Sequence, residues 1–296
     1  MRVFVTGATG AIGRPLVGRL LAAGHEVTGA SRSPAGLDRI REQGAAAVRA
    51  DALDPDDLRR VVVEASPDVV IHQMTDLGAA DGAANGTLRR VGTRHLVDAA
   101  RAAGVRRIVA QSISWAYRPG DGPADETVPL DPTSQQPRAG MVDAVRALEE
   151  TAAELPEAVV LRYGLFYGPG TWYAPGGAIA RALAGDPEAR FLGSLRPDSA
   201  VSSFVHVDDA ARAAVAALAW PPGPVNVVDD EPAAAADWLP ALARALDVPA
   251  PEPVRAPRPT DGPDWPRGAS NALARGRGWA PERPSWRTGF ATQLDD

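Results

Sequence analysis

The chain has 296 residues, 31 of them basic and 37 acidic, for a formal net charge of −6, and every basic residue is arginine. With neither lysine nor cysteine in the sequence, Schiff-base catalysis, a phosphate-holding lysine, a thiolate nucleophile, disulfides and cysteine-ligated metal are all excluded. The acidic balance carries no footprint for nucleic acid, and no stretch approaches the roughly 18 apolar residues of a membrane span. Met1–Val5 is too short an apolar run for a secretory leader. The expectation is a cytoplasmic protein whose partner is a small molecule, with no role for nucleic acid or membrane.

Up to residue 165, short β-branched runs alternate with longer Ala, Leu and Arg segments of helical period. That is the pattern of a doubly wound α/β fold, a parallel sheet covered on both faces. Strands are predicted at Val3–Thr6, Glu26–Ser31, Ala46–Arg49, Asp68–His72, Arg107–Gln111 and Ala158–Arg162, with helices at Ile12–Ala23, Pro34–Gln43, Pro55–Ala65, Leu88–Ala103 and Met141–Leu155 between them. Asp54 can cap the helix that Pro55 opens, and Gly24 and Gly104 stop theirs. Tyr167-Gly168-Pro169-Gly170 then breaks the alternation, and a loop-rich stretch runs to Ser203. A strand at Ser202–Val207, a helix at Asp208–Trp220 and a strand at Val225–Val228 follow, and the proline-rich segment Pro249–Pro266 reads as extended.

Thr6-Gly7-Ala8-Thr9-Gly10-Ala11-Ile12-Gly13 follows the first strand and opens the first helix. Glycines there let the backbone approach a pyrophosphate, whose charge meets the free N–H groups of the helix N-terminus. With this loop, the sequence resembles the extended short-chain dehydrogenase/reductase family, the NAD-dependent epimerase/dehydratase group. Further landmarks are similar: Asp51-Ala52-Leu53-Asp54, Val70-Ile71-His72-Gln73-Met74, Gly92-Thr93, Leu161-Arg162-Tyr163, Tyr167-Gly168-Pro169-Gly170, His206-Val207-Asp208-Asp209 and Gly278-Trp279-Ala280-Pro281. The resemblance implies a Rossmann domain at 1–168 completed by 201–228, and a substrate-binding part from 169–200 and 229–296. It also implies that Gly7, Thr9, Gly10, Ala11, Ile12, Gly13, Asp51, Ala52, Leu53, Gln73, Met74, Tyr163 and Leu165 contact the cofactor. A homodimer is one arrangement that related folds adopt.

NAD users of this kind carry an acid at the end of the second strand, where this chain has Ser31 followed by Arg32. Both can donate to a 2′-phosphate, so NADP is expected in preference to NAD. The alternative for Arg32 is stacking on the adenine.

The family's catalytic Tyr-x-x-x-Lys pair, counted back from Glu149, falls on Met141 and Val145, so both residues are expected to be missing. Arg89 likewise stands where relatives often have an asparagine. Ser112 remains at the matching strand end, to hydrogen-bond a substrate carbonyl or merely to end a strand, and Tyr117 is the first candidate for a replacement acid. His206 and Asp208 are assigned no catalysis, and the four histidines have no metal spacing. The loop Arg118–Arg138 reads as a lid, and Trp172 and Tyr173 as pocket lining or core. Three functions fit: an NADP-dependent oxidoreductase or epimerase on a small carbonyl or hydroxyl compound with a non-standard catalytic apparatus; a non-redox isomerase, cyclase or dehydratase; or a dinucleotide-sensing regulator without turnover.

Overall fold

The computed structural model describes residues 1–75, 82–132, 135–193, 195–252 and 267–292. The chain alternates β1 (Arg2–Thr6), α1 (Gly13–Ala22), β2 (Glu26–Ser31), α2 (Pro34–Glu42), β3 (Ala46–Arg49), α3 (Pro55–Ala65) and β4 (Val69–His72). One long helical stretch follows, made of α4 (Gly82–Thr87), a π-helical turn at Leu88–Gly92 and α5 (Thr93–Ala102), and then come β5 (Arg107–Ile113), α6 (Arg138–Ala152) and β6 (Glu157–Tyr163). Later elements are β7 (Leu165–Tyr167), α7 (Ala178–Leu183), β8 (Val201–Ser202), β9 (Phe204–His206), α8 (Val207–Ala216), β10 (Gly223–Val227), β11 (Ala233–Ala234), α9 (Ala235–Ala245), α10 (Ala272–Gly276) and α11 (Trp286–Thr292).

Local sequence explains the helix starts. Asp54 accepts hydrogen bonds from the Asp56 and Asp57 amides, with Pro55 in the first position of α3; Ser33 accepts from the Gly36 amide ahead of α2, which Pro34 opens. The sheet has seven strands in the order β10-β6-β5-β4-β1-β2-β3, and the registers joining β3, β2, β1, β4 and β5 are parallel. Strand order reverses at β1, whose neighbours are β2 and β4, and ligands of such sheets bind outside the carboxyl ends of the strands at that reversal. The predicted doubly wound α/β fold is therefore the one observed.

Two compact units divide the chain. The first contains Met1–Ile113, Ser134–Arg162 and Ala210–Val225. Its core packs Phe4, Val70, Ile108 and Ala110 of the strands against Leu58, Val61, Val62, Leu96, Val97 and Leu148 of the helices. Their burial at roughly 1.5–3 kcal/mol each is the main force holding these layers together.

The second unit contains Ser114–Thr133, Tyr163–Asp209 and Asn226–Asp296. Its core is aromatic: Tyr167, Tyr173, Phe204, Trp238, Trp286 and Phe290 cluster with edge-to-face pairs such as Tyr173–Phe204 at 5.4 Å between centroids. Two buried aspartate side chains fasten the C-terminal segment. Asp209 accepts from the Glu282 and Arg283 amides, and Asp229 from the Trp286 amide. The division departs from the expected one at 114–133, 163–168, 201–209 and 226–228, which belong with the second unit; at 114–133 the Ala124 amide donates to Gly268 and Arg267 donates to the carbonyls of Asp121 and Gly122. The described part of the expected lid is thus a tied loop. Most of the proline-rich segment lies outside the described residues.

Candidate dinucleotide site and reaction centre

At the phosphate loop, Gly7 has φ +75°, and a Cβ there would come within 2.2 Å of the Gln73 carbonyl oxygen; at Gly13 it would come within 2.1 Å of the Gly7 oxygen. Side chains at either position would push apart β1, the β4 end and α1. The Gly10 amide donates to the Gly7 carbonyl, but the amides of Ala11, Ile12 and Gly13 have no acceptor among the described residues. Helix α1 has no side-chain cap and no acid in its first turn. Its uncapped N–H groups and positive dipole end fit a phosphate anion. Thr9 stands partly exposed in the same loop.

The end of β2 gives Ser31 a different setting from the expected one. Ser31 is buried, its hydroxyl accepting from the Ser33 amide at 3.4 Å, under the first turn of α2. Arg32 is exposed, and the parallel register pairs Ser31 with Arg49, a residue sequence reasoning missed. Both arginines line a cavity of about 460 Å³ together with Asp51, Asp54, Asp57 and Arg60. The acids are engaged: Asp51 accepts from the Leu53 amide, Asp54 caps α3, and Asp57 pairs with Arg60 at 2.6 Å, which holds its carboxyl below the usual range. Arg32 and Arg49 make no hydrogen bond or ion pair among the described residues, and the Arg49 charge acts at longer range on Asp57. Ala52 is buried and its carbonyl meets His95, while Leu53 is exposed.

Beyond β4, Gln73 is buried and Met74 donates its amide to His72 Nδ1. His72 Nε2 lies 2.8 Å from the Thr93 hydroxyl, and burial holds its pKa down near 4, so it is neutral. Tyr163 and Leu165 belong to the second unit, where Tyr163 is buried against Phe166.

Ser112, on β5, donates to Glu149 Oε1 of α6 at 2.5 Å, and Arg162 of β6 grips the same carboxylate with bonds of 2.9 and 2.6 Å. The Ser112 proton is therefore committed to Glu149, and the triad knits α6 to two strands. Strand alternation turns Ile113, the next residue, to the opposite face of β5. Tyr117 also differs from expectation. It is 2% exposed, packed with Ala124, Val228 and Ala269, and its hydroxyl donates to Asn226 Oδ1 at 2.6 Å. Helix α6 contains neither tyrosine nor lysine; Met141 is 36% exposed and Val145 buried. Arg146 pairs with Asp143 on its own helix.

His206 is buried and its Nδ1 accepts from the Asp208 amide. Tyr173 belongs to the aromatic core, and Trp172 meets Phe191 edge-on. Asp229, 1% exposed, has its pKa pushed up to about 8 by burial. Among the described residues no cluster of His, Asp or Glu could hold a metal, and no helix is long and apolar enough to cross a membrane.

A parallel sheet with this loop and helix start defines an NAD(P)-binding Rossmann enzyme. The sequence matches the NAD dependent epimerase/dehydratase family over residues 3–227, and the chain belongs to that family. It is 45% identical to 3-diazoavenalumate denitrifying reductase from a Streptomyces species, over 99% of this chain and 100% of that one. It is 34% identical to 2'-dehydrokanamycin reductase from Streptomyces kanamyceticus, over 74% of this chain and 58% of the relative. The structure of Thermus thermophilus UDP-glucose 4-epimerase in complex with NAD superposes with a TM-score of 0.77 at 28% identity, covering 100% of this chain and 98% of that one. The protein is an NAD(P)-dependent oxidoreductase/epimerase-like enzyme.

Proposed function

We propose that this enzyme is an NADPH-dependent reductase that removes the diazo group of a small carboxylate as dinitrogen. The observation that carries this reading is the engagement of both candidate acids, Ser112 with Glu149 and Tyr117 with Asn226, in a chain without a lysine. Reduction of a carbonyl leaves an oxyanion that a positioned acid must protonate. NADPH, when bound, would supply a hydride for a new C–H bond at the carbon that carries nitrogen, the electron pair of the broken C–N bond would leave with N2, and no oxyanion would need an acid. The whole-chain likeness to 3-diazoavenalumate denitrifying reductase supports this chemistry.

For the cofactor, the unpaired Arg32 and Arg49 favour a 2′-phosphate. The α1 amides hold the pyrophosphate.

The test incubates the enzyme with NADPH deuterated at nicotinamide C4 and a 15N-labelled arenediazonium carboxylate. Dinitrogen equal to NADPH consumed, with deuterium on the carbon that carried nitrogen and a rate above the enzyme-free one, is the expected result. NADPH consumption with both nitrogens retained would refute the reading and point to carbonyl reduction; product without net NADPH consumption would indicate an isomerase, cyclase or dehydratase.

A further inference from the structure

Arg89 lies in the π-helical turn Leu88–Gly92 of the first unit and is 8% exposed. Among the described residues it has no hydrogen-bond or ion-pair partner. Burial pulls its pKa down to about 10, and no carboxylate offsets that penalty. Proteins rarely leave a guanidinium in this state without a ligand to meet it.

Its position says which ligand. Thr93, the first residue of α5 and next after the π turn that holds Arg89, reaches His72 at the carboxyl end of β4, so Arg89 lies within about one turn of that edge. Its charge acts on His72, helping to hold that imidazole neutral. The next residue, Gln73, has its carbonyl packed against Gly7 of the phosphate loop. A π turn inserted into a helix is itself a frequent mark of a functional position, since it re-aims one side chain out of the regular spiral.

We infer that the Arg89 guanidinium binds the pyrophosphate of the dinucleotide, opposite the free amides at the start of α1. This rests on the dinucleotide site of the proposed function but not on the identity of the substrate. The chain then meets the cofactor with three arginines in two groups, Arg32 and Arg49 for the 2′-phosphate and Arg89 for the pyrophosphate.

The experiment titrates NADPH, ADP-ribose and adenosine 2′-monophosphate into the unsubstituted enzyme and into Arg89→Gln and Arg89→Lys, with thermal melts of each apoprotein. Arg89→Gln should weaken NADPH and ADP-ribose binding by about 10- to 150-fold, the loss of one or two charge-assisted hydrogen bonds, and leave adenosine 2′-monophosphate unchanged. Arg89→Lys, which keeps the charge, should recover part of the affinity. The apoprotein melting temperature should hold or rise, because an uncompensated buried charge has gone; a merely structural arginine would lower it. Equal NADPH affinity in Arg89→Gln and the unsubstituted enzyme overturns the inference alone, as does a raised KM for the second substrate with unchanged cofactor binding. Equal losses for all three ligands with a lower melting temperature also overturn it, in favour of a structural role. If the unsubstituted enzyme binds neither NADPH nor NADH, the inference and the proposed reaction both fall.

Discussion

Replacing Glu149 by Gln removes the charge that holds Arg162 while keeping an oxygen for Ser112. The two side chains are 8% and 13% exposed and joined in a bidentate pair, so Arg162 would be left buried without its counter-ion. Breaking such a pair from one side costs about 3–5 kcal/mol, and the partial exposure of Glu149 favours the lower end, about 3 kcal/mol. At about 2–4 °C per kcal/mol for a unit of this size, the melting temperature should fall by about 6–12 °C. Combining Glu149→Leu with Arg162→Met removes both charges yet strands the Ser112 hydroxyl, which costs about 1–3 kcal/mol if it stays buried without an acceptor. Adding Ser112→Ala should bring the protein back close to its original stability. Hydrogen exchange at the amides of β5 and β6, read alongside urea unfolding, confines the measurement to the first unit. A loss below about 1 kcal/mol for Glu149→Gln, or a triple variant no more stable than the single one, would show that the triad does not act as a buried unit.

Arg32→Gln and Arg49→Gln should each weaken NADPH by about tenfold or more and leave NADH within twofold, and dinucleotide titrations would detect the difference. Tyr117→Phe leaves the Asn226 side-chain oxygen without its donor in a buried cluster, and should destabilise the second unit by about 1–3 kcal/mol in urea. The two units should respond to pH in opposite directions. His72 stays neutral down to about pH 4 while the unfolded chain takes up a proton near 6.5, so the first unit loses stability as pH falls between those values. Asp229 keeps its proton up to about pH 8 while the unfolded chain releases it near 3.8, so the second unit loses stability as pH rises over that range. Region-resolved hydrogen exchange at pH 5 and pH 8 would show the opposed trends, and Asp229→Asn should flatten the second.

The fold was legible wherever one segment carried its own signal. Gly7 and Gly13 between a β-branched run and a helical period declare the phosphate loop, and Asp54-Pro55 declares the start of α3. The π turn at Leu88–Gly92 was hidden because the apolar spacing through Leu88–Ala103 looks the same whether or not one extra residue is looped into the spiral. The site was legible in its residue types but not in the direction of its polar atoms. Ser112 lies at the expected end of β5 and Tyr117 five residues later, yet their hydroxyls are claimed by partners 37 and 109 residues away. Arg49 escaped notice because only the register of β3 against β2 puts it beside Ser31. Arg89 stood out as an unusual residue in its position, but its burial without a counter-ion is a property of packing.

The side-chain oxygens of Asp209 and Asp229 accept from the amides of Glu282, Arg283 and Trp286, and Trp286 and Phe290 fill the aromatic core around Phe204. On the ribosome, those acids and that ring emerge long before the residues that satisfy them. Shortening the chain before Glu282 would leave two buried acids without these amide donors and the aromatic face around Phe204 without Trp286 and Phe290. The segment from Glu282 to Phe290 is a clasp whose amides and rings complete groups contributed by residues 57 or more positions earlier.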